Sequence, residues 1–285
     1  MKLAFSTNAF TRHSLEHAVQ VISSAGYQGV EILADTPHVY PPSFTDVQAD
    51  ALAAQLRDLS LLVSNVNANC TGGYFSDAPP EPFFEPSLIS PLERYRRDRV
   101  GMIGRTLHIA RRIGAHNISI TSGRLLSTVP PARAASLLRE NLAAVLTMAQ
   151  EVNVKVGIEC EPGLYVEWAT ELRALIDEMG SPLLGANLDV GHSFVAGEDI
   201  PAVVDLLAGR IWNIHVEDIQ VAGPQNAPKH YHLIPGQGNM NFPALRDALK
   251  KVGYDGFLTV ELYTYPNMPE QAARESLTFL RRIMQ

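Results

Sequence analysis

Residues 154–189, VKVGIECEPGLYVEWATELRALIDEMGSPLLGANLD, decide the fold. Val154-Lys155-Val156-Gly157-Ile158-Glu159 is an apolar run of strand length. The stretch near 168–179 carries apolar residues at helical spacing, and Gly185-Ala186-Asn187-Leu188-Asp189 reads as a second strand. Two strands joined by a helix must lie parallel, because a parallel neighbour needs a crossover whereas a hairpin would join antiparallel strands.

Outward from this unit the same alternation runs to both ends of the chain. Toward the N-terminus, strands are expected at 2–7, 29–33, 61–66 and 116–121. A helix from Ser14 carries Leu15, Ala18, Val19 and Ile22 on one face and closes at Gly26. A second opens at Ser43-Phe44-Thr45-Asp46 and turns Val47, Ala51, Leu52 and Leu56 inward. A third spans 93–113 after a Gly- and Pro-rich loop from Asn67 to about Pro91, and Pro130-Pro131 starts a fourth where proline is tolerated. Toward the C-terminus come helices near 199–208 and 242–252, strands at 211–216 and 256–261, a long loop over 218–241, and a last helix from about Pro269. Eight strands and eight helices allow a doubly wound sheet or a closed (β/α)₈ barrel. The first strand runs into Ser6-Thr7-Asn8-Ala9-Phe10, without the glycines of a phosphate turn, so the α/β class is read as a (β/α)₈ TIM barrel. No linker divides residues 1–285, which are expected to form one domain.

Composition agrees. At 46% hydrophobic and 19% charged residues the chain has ample material for a large core, which excludes disordered and fibrous classes. A net charge of −7 would repel a polyphosphate and argues against a nucleic-acid partner. Cys70 and Cys160 are too few for a disulfide scaffold and fit a reducing compartment. Residues 1–8 turn polar by Ser6, unlike a signal peptide, and no run of 18 apolar residues occurs, so a cytoplasmic protein with no membrane segment is expected.

In such a barrel the C-terminal ends of the strands converge on one mouth. The last four strands end on Glu159, Asp189, His215 and Glu261. Each alone would pass as a structural strand-end residue, but three carboxylates brought together resist desolvation unless a cation sits among them. Three oxygens and one imidazole favour one divalent ion of the Mn, Mg, Co or Fe type, and zinc accepts the same ligands. Glu161, two residues after Glu159, points to the same side if the strand continues. Glu159, which directly follows the apolar run, is the preferred ligand, and Glu161 is read as a neighbour touching substrate.

The runs Gly157-Ile158-Glu159-Cys160-Glu161-Pro162-Gly163, Leu188-Asp189-Val190-Gly191-His192, His215-Val216-Glu217-Asp218, Pro235-Gly236-Gln237-Gly238 and Thr259-Val260-Glu261 resemble the xylose isomerase-like TIM-barrel superfamily, its sugar-phosphate isomerase/epimerase group. The resemblance implies one divalent metal held by Glu159, Asp189, His215 and Glu261. It also implies that Glu159 and Glu261 exchange a proton with the carbon beside a ketose carbonyl through a metal-stabilised enediolate, and that His192 touches substrate. The expected partner is a small sugar, polyol or keto-acid. Dehydration of the dehydroshikimate dehydratase type shares this logic and is the close alternative. An endonuclease IV-like phosphodiesterase would use His230 and His232, but it needs further histidines on the third and fourth strands, which end Asn65-Val66-Asn67 and Ile120-Thr121.

Glu31 ends its strand inward and is read as a substrate contact, with a structural hydrogen bond as the rival. His232, His38 and Tyr40 are further mouth candidates. The Arg94-Tyr95-Arg96-Arg97-Asp98-Arg99 cluster reads as a solvated helix face, and Cys160 as packing. Tyr74, Phe75, Phe83 and Phe84 either line the pocket or meet a second subunit, which leaves a homo-oligomer open.

Overall fold

The computed structural model describes residues 1–69, 72–75, 84–222 and 229–284. The chain alternates β1 (Lys2–Ser6), α1 (Leu15–Ala25), β2 (Gly29–Leu33), α2 (Asp46–Asp58), β3 (Leu62–Asn67), α3 (Glu93–Arg112), β4 (Asn117–Thr121), α4 (Pro131–Val152), β5 (Lys155–Glu159), α5 (Ala169–Met179) and β6 (Leu184–Asp189). Two short helices follow, α6 (Val190–Val195) and α7 (Ile200–Leu206), then β7 (Ile211–Val216), β8 (Asp218–Ala222), β9 (Lys229–Leu233), α8 (Phe242–Lys251), β10 (Phe257–Val260) and α9 (Pro269–Ile283). The parallel strands close into a barrel in the order β1-β10-β7-β6-β5-β4-β3-β2. This is the (β/α)₈ TIM barrel that the sequence alternation implies. No described helix is long and apolar enough to cross a membrane.

Helix ends follow local chemistry. Ser14 caps α1 by accepting from the backbone N–H of His17, and Gly26 closes it at φ 100°, a left-handed turn that glycine adopts without strain. Thr45 and Gln48 form a capping box on α2. The buried stripe of α2 is Ala49, Leu52, Ala53 and Leu56. Val47 and Ala51, expected inward, instead face solvent, Val47 being 78% exposed, because the 3.6-residue repeat allows only one stripe. Arg99 likewise departs from the solvated-face reading of its cluster and is buried on α3. The expected loop over 218–241 contains the antiparallel hairpin β8–β9, in which Asp218 pairs with Leu233 and Ile219 with His232.

Along the barrel strands, period two sends Val30, Ile32, Ile118, Ile120, Val156, Ile158, Leu188, Ile214, Val216, Leu258 and Val260 into the apolar core. The alternate positions hold buried polar side chains at successive depths. Below the mouth they form a band in which every strong donor meets an acceptor. Asn117 Nδ2 donates to Asn65 Oδ1 at 2.8 Å, Asn213 Nδ2 to Asn187 Oδ1 at 2.8 Å, and Thr259 Oγ1 to Asn213 Oδ1 at 2.8 Å. Buried amides that satisfy one another in this way cost little and fix the rotamers of the layer above. Gly157 makes room for the band, since a Cβ there would stand 2.8 Å from the backbone nitrogen of Asn187.

Candidate active site

Glu159 is the last residue of β5, Asp189 the last of β6, His215 lies one residue from the end of β7, and Glu261 follows β10 directly. All four are buried, and in the barrel order they occupy four adjacent strands. His215 Nδ1 faces the three carboxylates, 3.5 Å from Glu159 Oε2, 3.7 Å from Asp189 Oδ2 and 4.0 Å from Glu261 Oε1. Ligand atoms about 2.1 Å from a shared ion stand roughly 3 to 4.2 Å apart, so these separations suit one cation. The structure therefore brings together the four residues proposed from the sequence.

Each carboxylate is held from one side. Asp189 caps α6, its Oδ1 accepting the backbone N–H of His192 at 2.7 Å. Its buried Oδ2 makes no hydrogen bond among the described residues. Asn187 Nδ2 donates to Glu159 Oε2 at 2.7 Å, and Asn67 Nδ2 to Glu261 Oε1 at 3.2 Å. Asp189, with one oxygen anchored and the other without a hydrogen bond, has the arrangement expected of a carboxylate that meets a hard cation. The donor set fits a divalent ion: among the described residues Glu159, Asp189 and His215 offer atoms within 4.8 Å of one another, and Glu261 does so with His215 and Glu31.

The electrostatics tell the same story. Burial, together with Glu159, Asp189 and Glu31, pushes the Glu261 carboxyl well above its usual range despite the pull of His215. Burial also raises Glu217, which lies beside Asp189. Burial would lower the His215 imidazole, but Glu31, Glu159 and Glu261 raise it well above its ordinary value. Without a cation the site binds protons in its place. Glu217 is buried beneath α6 because residue 191 is glycine; a Cβ there would meet Glu217 Oε1 at 1.7 Å.

Toward the mouth lie the residues read as substrate contacts. His192 Nδ1 sits 3.6 Å from Glu159 Oε1 and 3.5 Å from Asp189 Oδ2. Burial lowers its pKa, but Asp189, Glu161 and Glu159 outweigh this and push it up to about 9. Glu161 groups with Glu159 and His192, and burial raises it to about 7. The two glutamates are thus sorted, Glu159 toward Asp189 and His215, Glu161 toward His192. His232, on β9, packs its ring 5.4 Å from that of His192 and 4.8 Å from Tyr263, with Nδ1 3.9 Å from Glu261 Oε2. Asp218 holds the base of this hairpin, accepting from the backbone N–H of Gly236 at 2.8 Å and of Met240 at 2.9 Å. Asp218 and Tyr263 escaped the sequence reading; Asp218 stood in a quoted motif, next to His215-Val216-Glu217.

Other candidates are placed differently. Glu31, expected at the substrate, is fully buried, with Oε2 2.6 Å from His215 Nε2 and 2.7 Å from Asn65 Nδ2. Its partners on β7 and β3 make the structural hydrogen bond that rivalled the substrate reading, and Glu31 also groups with His215 and Glu261. His38 is turned to the carbonyl of His13, with Nε2 3.3 Å from it. Tyr74 and Phe75 pack on Tyr95 of α3, with ring centroids 5.6 Å and 5.8 Å away, and Tyr74 donates to Asp98. Cys70, Phe83 and the side chain of His230 lie outside the described residues. The strand ends that a trinuclear phosphodiesterase would fill with histidine hold Asn65, Asn67, Ser119 and Thr121.

Fructoselysine 3-epimerase of Escherichia coli O157:H7 is 26% identical over 289 residues, covering 100% of this chain and 98% of that protein. Inosose dehydratase of Clostridium perfringens is 23% identical, covering 87% and 82% of the two chains. The fold superposes on a crystal structure of the IolI protein with a bound zinc atom at a TM-score of 0.81 and 17% identity, over 100% of this chain and 98% of that one. The sequence model of the xylose isomerase-like TIM barrel matches residues 19–283, and the chain belongs to that family.

Proposed function

We propose that this chain is a divalent-metal-dependent isomerase or epimerase of a small ketose or related polyol or keto-acid, working as one domain in the cytoplasm. The observation that supports this best is the arc of Glu159, Asp189, His215 and Glu261, whose carboxylates converge on His215 Nδ1. These four residues would hold a Mn, Mg, Co, Fe or Zn ion. Bound there, it would supply Lewis-acid stabilisation of the negative charge that grows on the substrate oxygens when the proton beside the carbonyl leaves. Glu159 and Glu261 stand at the two ends of the arc, on β5 and just after β10. One takes the proton from one face of that carbon and the other returns one on the opposite face, which inverts the centre. If a single carboxylate carries the proton to the adjacent carbon, the outcome is aldose-ketose isomerisation. His192 and Glu161 hold substrate hydroxyls, and His232 with Tyr263 closes one wall.

The relationship to fructoselysine 3-epimerase supports epimerisation. Dehydration is the second reading, favoured by the inosose dehydratase relationship and by His192, whose imidazole beside Glu159 and Asp189 could donate to a leaving hydroxyl. A panel of ketoses, keto-acids and cyclic hydroxyketones in deuterated water with Mn²⁺ separates these readings. Two-base epimerisation incorporates one solvent deuteron without loss of water, isomerisation by a single carboxylate moves the carbonyl and retains the substrate's own proton except for what exchanges on the carboxyl, and dehydration yields an absorbing enone. Glu159→Gln and Glu261→Gln are each expected to lose about 10²- to 10⁴-fold in exchange rate with the fold intact. Wild-type exchange in both variants sinks the acid and base assignment.

A further inference from the structure

His215 uses its two ring nitrogens on opposite sides. Nδ1 is turned to Glu159, Asp189 and Glu261, and Nε2 lies 2.6 Å from Glu31 Oε2. A neutral imidazole has one N–H and one lone pair. Oriented this way, with Nε2–H donating to the Glu31 carboxylate, the ring presents its Nδ1 lone pair to three acceptors, an arrangement that is favourable with a cation between them and otherwise calls for a second proton on the ring. Asn187 does not take that place. Its Nδ2 is 3.1 Å from Nδ1 and 3.5 Å from Nε2, and such similar distances put the amide against the ring face, since a donor on the Nδ1 lone pair would stand well away from Nε2.

Glu31 is itself fixed. Asn65 Nδ2 donates to its Oε2 at 2.7 Å and to Ser119 Oγ at 2.8 Å, while Asn117 Nδ2 holds Asn65 Oδ1. A buried relay of Asn117, Asn65, Glu31 and His215 thus links β4, β3, β2 and β7 across the barrel. Glu31 is fully buried, and its Oε2 meets both the His215 ring and the Asn65 amide.

We propose that Glu31 is a positioning residue that holds His215 with the proton on Nε2 and so aims Nδ1 at the divalent ion. The inference rests on the metal site of the preceding section. Glu31→Gln keeps an oxygen for the Nε2–H but loses the charge, and Glu31→Ala loses both. Zinc titration by calorimetry is expected to show affinity reduced roughly tenfold in Gln and up to a hundredfold in Ala, with Gln the partial rescue. A long-range ¹H–¹⁵N spectrum of the zinc-loaded wild type should show a protonated Nε2 and a metal-bound Nδ1 for His215, and the Nε2–H resonance should move in Glu31→Gln while the circular dichroism stays native. Unchanged zinc affinity with an unchanged His215 resonance in Glu31→Gln overturns the proposal, as does a wild-type spectrum with Nε2 bound to zinc. Failure of the wild type to take up zinc removes the metal site itself and, with it, the role assigned to Glu31.

Discussion

Asn187 holds Glu159 in the proposed ligand layer, and Asn187→Ala measures how firmly. Its side chain donates to Glu159 Oε2 at 2.7 Å and accepts from Asn213 at 2.8 Å. Truncation bares a buried carboxylate oxygen and a buried amide. A lost hydrogen bond to a charged group costs about 1.5–3 kcal/mol and the orphaned amide about 1–2 kcal/mol, so the metal-free protein should lose roughly 3–5 kcal/mol. For 285 residues the unfolding entropy is about 0.6 kcal/mol per degree, which converts this loss to a Tm lower by about 5–8 °C. A cation bound beside Glu159 compensates the bared oxygen and leaves only the amide deficit, so with saturating Mn²⁺ the drop should shrink to about 2–3 °C. Scanning calorimetry of both proteins with Mn²⁺ and with chelator gives the four numbers required. Equal drops in the two states, or a drop below about 2 °C in chelator, would refute the view that Asn187 acts through Glu159.

Two further outcomes follow from the site. In the metal-free protein, Glu261 and His215 are both raised and so keep their protons to higher pH than the free groups, while an ion needs them deprotonated. Ion affinity should thus rise with pH, and calorimetry in buffers of different ionisation enthalpy should show release of about one to two protons per ion; no release contradicts the protonated state assigned to the empty site. Asp218→Ala frees the N–H groups of Gly236 and Met240, at a cost of about 2–4 kcal/mol, and hydrogen exchange should accelerate over residues 230–240 with little change in β1 to β6.

The barrel and its ligand arc were legible because both obey period two. In Leu188-Asp189, Ile214-His215 and Val260-Glu261 an outward apolar residue precedes an inward polar one, and parallel register sets Asp189 opposite His215, with Glu261 two residues beyond Thr259, the partner of His215 on β10. The features that sequence concealed depend on partners far along the chain. Glu31 reads as a mouth residue until the barrel closes and sets it against His215, 184 positions away. The hairpin β8–β9 hides because its strands are only five residues long. Helix α6 is concealed for another reason: six residues, including Gly191 and a cap from Asp189, carry too short a stripe to declare a helix.

The central claim is that Glu159, Asp189, His215 and Glu261 hold one divalent ion. Metal content of the purified chain, measured by mass spectrometry after reconstitution and removal of loose ions, tests it most directly. The account predicts about one ion per chain in the wild type and a large loss in Asp189→Ala and His215→Ala, both still folded. No retained ion, or the same content in both variants, would contradict it, and more than one tightly held zinc per chain would return the phosphodiesterase reading.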